Sequence, residues 1–235
     1  MQPELGPLRV FLGWDSKEPL AFAVAAHSIL RRASRPVCIV PLALSNLRKL
    51  YMRQRGPTES TEFSLTRFLV PFLSSYHGVS VFMDCDVIVQ ADVYDLLLYP
   101  LAYPDKAVFV CQHDYIPKAL IKFDGHEQTK YPRKNWSSVM LFANDRCKAL
   151  TPEYVNKASG LELHRFQWVQ DELIGALPLE WNHLVGEGNQ SKETPKIIHY
   201  TNGGPWFETH KYEPFAEAWE LELKDMQGAR VEVPA

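Results

Sequence analysis

The residues whose types and spacing best suit chemistry are two acids one position apart, Asp84 and Asp86, with Cys85 between them. The run Val79–Met83 leads straight into them, and Val87-Ile88-Val89 follows. A five-residue apolar run rich in β-branched and aromatic side chains reads as a core strand. If the chain stays extended through the acids, both carboxylates project to one side. Hard divalent cations such as Mg²⁺ and Mn²⁺ take oxygen ligands and keep positions open for phosphate oxygens. A cation held there would tie a diphosphate to the protein and offset the charge of a leaving group. An isolated Asp-x-Asp also fits a solvated turn with Asp84 as a helix cap; the apolar runs on both sides favour the metal.

Other residues could serve the same cleft. His199 follows Lys196-Ile197-Ile198 at the expected end of a strand, where an imidazole suits Mn²⁺; a satisfied core histidine also fits that position. Next comes Asn202-Gly203-Gly204-Pro205-Trp206, in which glycines let backbone amides approach phosphate oxygens, unless the stretch is simply a turn. Asp15 is read either as a contact to a nucleoside base or ribose or as a helix cap. Arg67 is read as a partner of phosphate or of Asp84, with an exposed helix position as the alternative. Lys134-Asn135-Trp136-Ser137-Ser138 gathers charge, amide, aromatic ring and hydroxyls as a sugar pocket would, although a loop around a core tryptophan has the same composition. Asp171 and Glu172 open an expected helix; they are the candidates for a general base or for stabilising an oxocarbenium-like transition state, and Asp171 also suits a cap.

These residues need a scaffold, and the spacing supplies one. Leu8–Trp14 reads as a buried strand, followed by an N-cap at Asp15–Ser16 with Glu18 at capping-box distance and Pro19 in the first turn. Leu20, Val24, Ile29 and Leu30 carry a helix to about Arg32. Pro36–Leu42 is a second strand, and a helix covers about Leu44–Met52. Polar Gln54–Glu62 is a loop, and Phe63–Ser75 is helical with Pro71 limiting it. Ala107–Cys111 and Ser138–Phe142 are further strands, and Tyr212–Gln227 places Phe215, Trp219, Leu223 and Met226 at helical spacing. Alternating strands and helices indicate an α/β sheet that binds ligands at the carboxyl ends of its strands.

Composition narrows the partners. A chain of 235 residues with net charge −3 and no long basic run is not built around a nucleic-acid backbone. The four cysteines form no CxxC pair, which suits a reducing cytosol. No signal peptide is read at the N-terminus, and no stretch reaches the roughly 18 apolar residues of a transmembrane helix. The expected location is therefore cytoplasmic, with room for peripheral contact at the inner membrane face.

From about residue 8 to 210 the sequence resembles glycosyltransferases of the GT-A fold, especially family 8 and its bacterial relatives. VFLGWD resembles their first strand and nucleotide-contacting loop, which implies Leu12, Gly13, Trp14 and Asp15 at the donor. Arg67 in SLTRFLVPFL resembles the arginine preceding the metal motif. FMDCDVIV resembles that motif, implying Asp84 and Asp86 as ligands with Cys85 at the donor. KNWSSVMLFAN resembles the polar loop and strand that follow, and WVQDELIGALPLEWN the acidic segment lining the sugar pocket, which implies a role for Asp171. IIHYTNGGPW resembles the C-terminal metal and phosphate stretch, implying His199 as third ligand. Two departures stand out: Gly204 lies where the family carries a phosphate-contacting lysine, and Asp171-Glu172 lacks the usual glutamine-centred signature. The resemblance implies one GT-A domain over 1–235, with a mixed, mainly parallel sheet flanked by helices, residues 1–7 a flexible N-terminus and 211–235 a closing helix and tail. It implies Mn²⁺ or Mg²⁺, a nucleoside-diphosphate sugar (a UDP-sugar first) and a cell-surface glycan or glycolipid acceptor. The alternatives are a nucleotidyltransferase making nucleotide-sugars, for which VFLGWDSKEP lacks the Gly-rich phosphate loop, and a glycan- or nucleotide-binding protein without turnover.

Overall fold

The computed structural model describes residues 6–56, 59–114, 133–187 and 192–228. Residues 1–5 of the expected flexible N-terminus and 229–235 of the expected tail lie outside the described residues.

Apolar runs become strands where both faces are covered. β1 (Leu8–Gly13) and β3 (Val79–Met83) are adjacent central strands, with β2 (Val37–Leu42) at the edge; all three are parallel. Beyond β3 come β6 (Val139–Ala143), β5 (Val108–Cys111) and β7 (Ile174–Leu177), giving the order β2-β1-β3-β6-β5-β7. Only β6 runs against the others, so the sheet is mixed and mainly parallel, as expected. Its side chains, Val81, Phe82, Met83, Phe109, Met140 and Phe142 among them, are fully buried. At roughly 1.5–3 kcal/mol per large apolar side chain removed from water, this core makes the sheet rigid.

A second sheet changes the reading of the acidic pair. β4 (Val87–Val89) does not continue β3: the chain bends over Asp84–Asp86, and β4 pairs with β9 (Ile197–His199), which also pairs with β8 (His183–Leu184). The apolar run after the acids is real, but it belongs to the second sheet, so the pair lies on the corner joining two rigid bodies of backbone.

α1 (Pro19–Arg32) lies over β4. Ala21, Val24, Ala25, Ser28 and Ile29 form its buried face at helical spacing, while Leu20 and Leu30 turn outward. Its N-cap is Glu18, not Asp15, and no side chain caps it; the expected capping box is absent because both Asp15 oxygens are engaged elsewhere. The expected helix at Leu44–Met52 shortens to a 3₁₀ turn over Leu44–Leu47, and Phe63–Ser75 becomes a 3₁₀ turn at Thr66–Leu69 running into the single turn α2 (Val70–Leu73), with Pro71 at its start. α3 (Leu98–Ala102), α4 (Pro152–Lys157) and α5 (Gly160–His164) are short connectors. α6 (Ala216–Met226) closes over α1: Trp219 is buried, and buried Glu222 accepts from His27 (2.6 Å) and Arg32 (2.7 Å). Among the described residues no helix is long and apolar enough to cross a membrane.

Candidate functional site

Register brings together three side chains of types able to hold a metal ion. Cys85 is fully buried, so the two acids either side of it face away from the core. His199 ends β9 opposite Val87, and Tyr200 N donates to Asp86 O (2.9 Å), which holds the end of β9 against the corner. One ligand atom from each of Asp84, Asp86 and His199 lies within 4.8 Å of the others. Extended spacing suggested the two carboxylates and the resemblance added the histidine; the chain brings the three together by a bend and a cross-strand partner.

Each ligand is oriented from behind. Asp84 Oδ1 lies 2.8 Å from Arg67, whose guanidinium also donates to Ser137 O (2.9 Å) and lies over the rings of Phe82 (4.9 Å) and Phe63 (5.3 Å). Arg67 is buried, so it belongs to the interior of the site and is no exposed helix residue. Asp84 N donates to Ser138 O (2.9 Å). His199 Nδ1 lies 2.8 Å from Asn182 Oδ1, while Asn182 Nδ2 donates to Ser138 Oγ (2.9 Å) and Asn135 O (3.3 Å). Because the amide nitrogen is spent on two acceptors, Oδ1 must face the imidazole and Nδ1 must carry the proton. Nε2, 3.3 Å from Asp86 Oδ1, is then the nitrogen a cation would take. Two carboxylates and such an imidazole are a fitting donor set for Mn²⁺ or Mg²⁺. Asn182→Ala should weaken Mn²⁺ binding about 10- to 100-fold, the usual effect of losing the group that orients a ligating histidine; a Mn²⁺ titration followed by electron paramagnetic resonance measures it.

The segment 134–138 serves this scaffold as much as any pocket. Lys134, Ser137 and Ser138 are buried; Asn135 adopts φ 64°, and its carbonyl also accepts from Ser138 Oγ (2.8 Å). Ser137 Oγ lies 2.8 Å from His164 Nδ1, and Trp136 Nε1 donates to His113 O (3.0 Å). His113, assigned no role from the sequence, is buried beside His199; burial first, then the neighbouring His199, pushes its pKa down to about 4.

The loop after β1 closes the other side. Leu12 is a core residue, so only its backbone can meet a ligand. Gly13 ends β1, and the half-buried Trp14 packs edge-on to Phe22 at 5.0 Å. Asp15 is buried; Oδ1 accepts from Lys17 N and Oδ2 from Glu62 N (both 2.9 Å), tying this loop to the one before α2. Glu18 turns inward: Oε1 accepts from Trp206 Nε1 (3.2 Å), and Oε2 lies 3.9 Å from Cys85 Sγ. Burial, then the charges of Asp86 and Asp15, push its carboxyl up to about 8, against the pull of the Trp206 bond. The unfolded chain loses this proton near 4.5 while the folded one keeps it to about 8, so between those values the folded state binds more protons and stability falls as pH rises. Without metal, Glu18→Gln should therefore gain stability over wild type between pH 5 and 8, by at most ~1.4 kcal/mol per pH unit; urea unfolding at stepped pH values reads it.

Beyond β9, Asn202 Nδ2 donates to Glu187 Oε1 (2.8 Å), and Gly203 takes φ +112°, open to glycine at little cost. A Cβ on Gly204 would lie 2.1 Å from Trp206 Cζ3. The indole therefore occupies the space that a side chain at 204 would need.

Asp171 and Glu172 are not brought to this cluster. They precede β7 at the edge where the parallel strands begin: Leu173 O accepts from Ala107 N, Ala107 O from Ala143 N, and Gly78 O from Asn144 N, and Gly78 lies before β3 whereas Asp84 lies after it. Asp171 is exposed and paired with Arg133 (2.6 Å), which holds its carboxyl below the usual range. It neither caps a helix nor lines the cluster; Gln170 holds the cap position of the 3₁₀ turn Asp171–Leu173. β7 runs parallel to β5, so the chain reaches the carboxyl edge only after it and the acids before it stay at the opposite edge. Sequence reading thus missed three site residues. Glu18 was hidden in an apparent capping box, Asn182 in LEWNHL, and His113 had no local signal at all.

Fold and site together define the class: this is the fold of the GT-A glycosyltransferases, carrying an Asp-x-Asp and histidine cluster at its carboxyl edge. The bifunctional glycosyltransferase WbbM superposes with a TM-score of 0.68 at 17% identity over 96% of this chain; the chain spans only 51% of that protein. The galactosyltransferase LgtC, solved with donor and acceptor sugar analogues, superposes with a TM-score of 0.56 at 10% identity, covering 92% of this chain and 95% of its own. No family model matches. The chain is 47% identical over 230 residues to Protein CDI of Arabidopsis thaliana, covering 94% of this chain and 88% of that protein, and it belongs to the same family.

Proposed function

We propose that this chain is a metal-dependent glycosyltransferase, moving a sugar from a nucleoside-diphosphate sugar to a hydroxyl of a glycan or glycolipid, with a UDP-sugar and Mn²⁺ as the first pair to try. The observation that carries the reading is the convergence of Asp84, Asp86 and His199 within 4.8 Å at the carboxyl edge of an α/β sheet, the crevice where such sheets bind ligands. Asp84, Asp86 and His199 Nε2 would hold the ion. When bound, it supplies positive charge beside the departing diphosphate. The Gly204 amide faces the phosphate oxygens in this reading, the Gly203 amide being donated back to Tyr200 O (2.8 Å), while Leu12–Asp15 meets the nucleoside through its backbone and the Trp14 ring. Lys134–Ser138, with Cys85 behind the acids, shapes the floor under the sugar. The exposed, Arg133-paired Asp171 and its neighbour Glu172 take no part in proton transfer in this reading.

The test is a panel of UDP-, GDP- and ADP-sugars with Mn²⁺, following release of the nucleoside diphosphate. Release that stops in chelator supports the reading. Turnover unaffected by chelator overturns the metal role, and pyrophosphate release from sugar-1-phosphate and nucleoside triphosphate would make the chain a nucleotidyltransferase. Metal-dependent nucleoside diphosphate binding with no release from any donor would make it a binding protein.

A further inference from the structure

Glu18 stands at the N-cap of α1, yet its side chain bonds no helix amide. Its carboxyl is buried and spans two loops that the sequence separates widely. On one side, Oε1 accepts from Trp206 Nε1 at 3.2 Å; on the other, Oε2 lies 3.9 Å from Sγ of Cys85, between the two acids. A buried glutamate that does not cap its helix has been drawn inward by a specific partner, since an unpartnered one would be expelled to water. That partner is a partly buried indole packed against two further rings. The Trp206 ring meets Trp219 at 5.5 Å and Tyr200 edge-on at 5.8 Å, and it lies across Gly204, where a Cβ would come within 2.1 Å of it. Gly204 and Gly203 have no side chains to hold their own conformation, and Gly203 sits at φ +112°. Gly203 N donates back to Tyr200 O (2.8 Å) and Gly204 O accepts from Phe207 N (2.9 Å), so the pair forms a turn, and the indole lying across Gly204 packs that turn three to four residues beyond Tyr200, whose amide is bonded to Asp86 O.

We propose that Glu18 is a positioning residue for the diphosphate: its carboxyl pins Trp206 across Gly204 and so sets the Gly204 amide in register with the Asp84–Asp86 corner. This rests on the glycosyltransferase reading and adds to it a link between the first helix and the C-terminal loop. It also accounts for the glycine at 204, because the pinned ring fills the space a longer residue would need.

The hydrogen-bond acceptor is what matters, so Glu18→Gln should preserve the arrangement while Glu18→Ala loses it. Trp206→Phe keeps the ring's bulk and removes only the donor, which guards against a fold lost through a cavity. Two measurements on the full chain separate the possibilities. The first is the indole N–H resonance of Trp206 in a ¹⁵N-labelled sample, identified by its loss in Trp206→Phe. It should move in Glu18→Ala and stay near its wild-type position in Glu18→Gln. The second is affinity for Mn²⁺ alone and for UDP at saturating Mn²⁺. Glu18→Ala and Trp206→Phe should weaken UDP about tenfold, the scale of one lost buried hydrogen bond, with Mn²⁺ alone within about twofold, because Asp84, Asp86 and His199 remain. Glu18→Gln should bind UDP within about twofold of wild type. The inference is overturned if Glu18→Ala leaves the resonance in place, if it binds UDP as wild type does, or if Glu18→Gln is as weak as Glu18→Ala. A wild-type chain that binds neither Mn²⁺ nor UDP overturns the glycosyltransferase reading instead, and this inference with it.

Discussion

Asp86→Asn is expected to abolish Mn²⁺-dependent donor binding at millimolar metal and to lower sugar release by on the order of 10²–10³-fold, the scale of losing one preorganised electrostatic group from an active site. The reason lies in how charge is distributed around the corner. Asp84 is already matched to Arg67 at 2.8 Å, so that pair is close to neutral. Asp86 faces the imidazole of His199 at 3.3 Å and supplies the negative charge that makes the corner attractive to a divalent ion. Asparagine keeps the side chain's shape and one acceptor oxygen but takes the local charge to about zero. Because Asp86 is bonded to the rest of the fold through its backbone carbonyl, which the substitution leaves alone, thermal unfolding of the metal-free chain should change little. Loss of Mn²⁺ response with an unchanged metal-free melting temperature is the expected pair of results. Retained Mn²⁺ response in Asp86→Asn would mean that the ion, if there is one, sits elsewhere.

What could be read from sequence and what could not divide along a physical line. Val79–Met83, Ala107–Cys111 and Ser138–Phe142 announce themselves because central strands buried on both faces are continuous apolar runs, and sheet order does not alter that signal. The acid pair was legible for the same reason, as polar residues abruptly ending such a run. Local signals failed where tertiary context decides. Val87–Val89 looks like more of the same strand, yet the two acids cannot enter a sheet interior, so the chain bends and joins a second sheet. Asp15 and Glu18 have capping-box spacing, but the amide of Glu62, 47 residues away, competes successfully for Asp15. Asp171 and Glu172 matched an acidic segment of a resembled family, while their place before a parallel strand puts them at the edge away from the crevice. The support of His199 by Asn182, 17 residues apart, depends on the pairing of β8 with β9 and is invisible until that pairing is known.

Arg67→Met should separate the structural and electrostatic duties of the site most sharply. The guanidinium is buried, bonded to both Asp84 and Ser137 O, and packed against Phe63 and Phe82. Methionine preserves much of the packing and removes the charge and both bonds. Leaving one member of a buried ion pair unmatched costs about 3–5 kcal/mol; Asp84 keeps 14% side-chain exposure, so the lower end, about 3 kcal/mol, is expected. For a chain of this size that corresponds to a fall of about 6–12 °C in the metal-free melting temperature. Mn²⁺ should then act in the opposite sense. Arg67 repels a cation at the corner and competes with it for Asp84, so its removal leaves a site that binds the ion more tightly. Ligand stabilisation grows as the logarithm of concentration over dissociation constant, about 2.7 kcal/mol at a hundredfold excess, so the Mn²⁺-induced rise in melting temperature should be larger in Arg67→Met than in wild type. Arg67→Lys, which retains the charge but not the planar fork, should lose less stability and show a Mn²⁺ response close to wild type. Equal Mn²⁺ shifts in Arg67→Met and wild type would show that Asp84 does not ligate the ion, and the arginine would then be only a structural counter-charge.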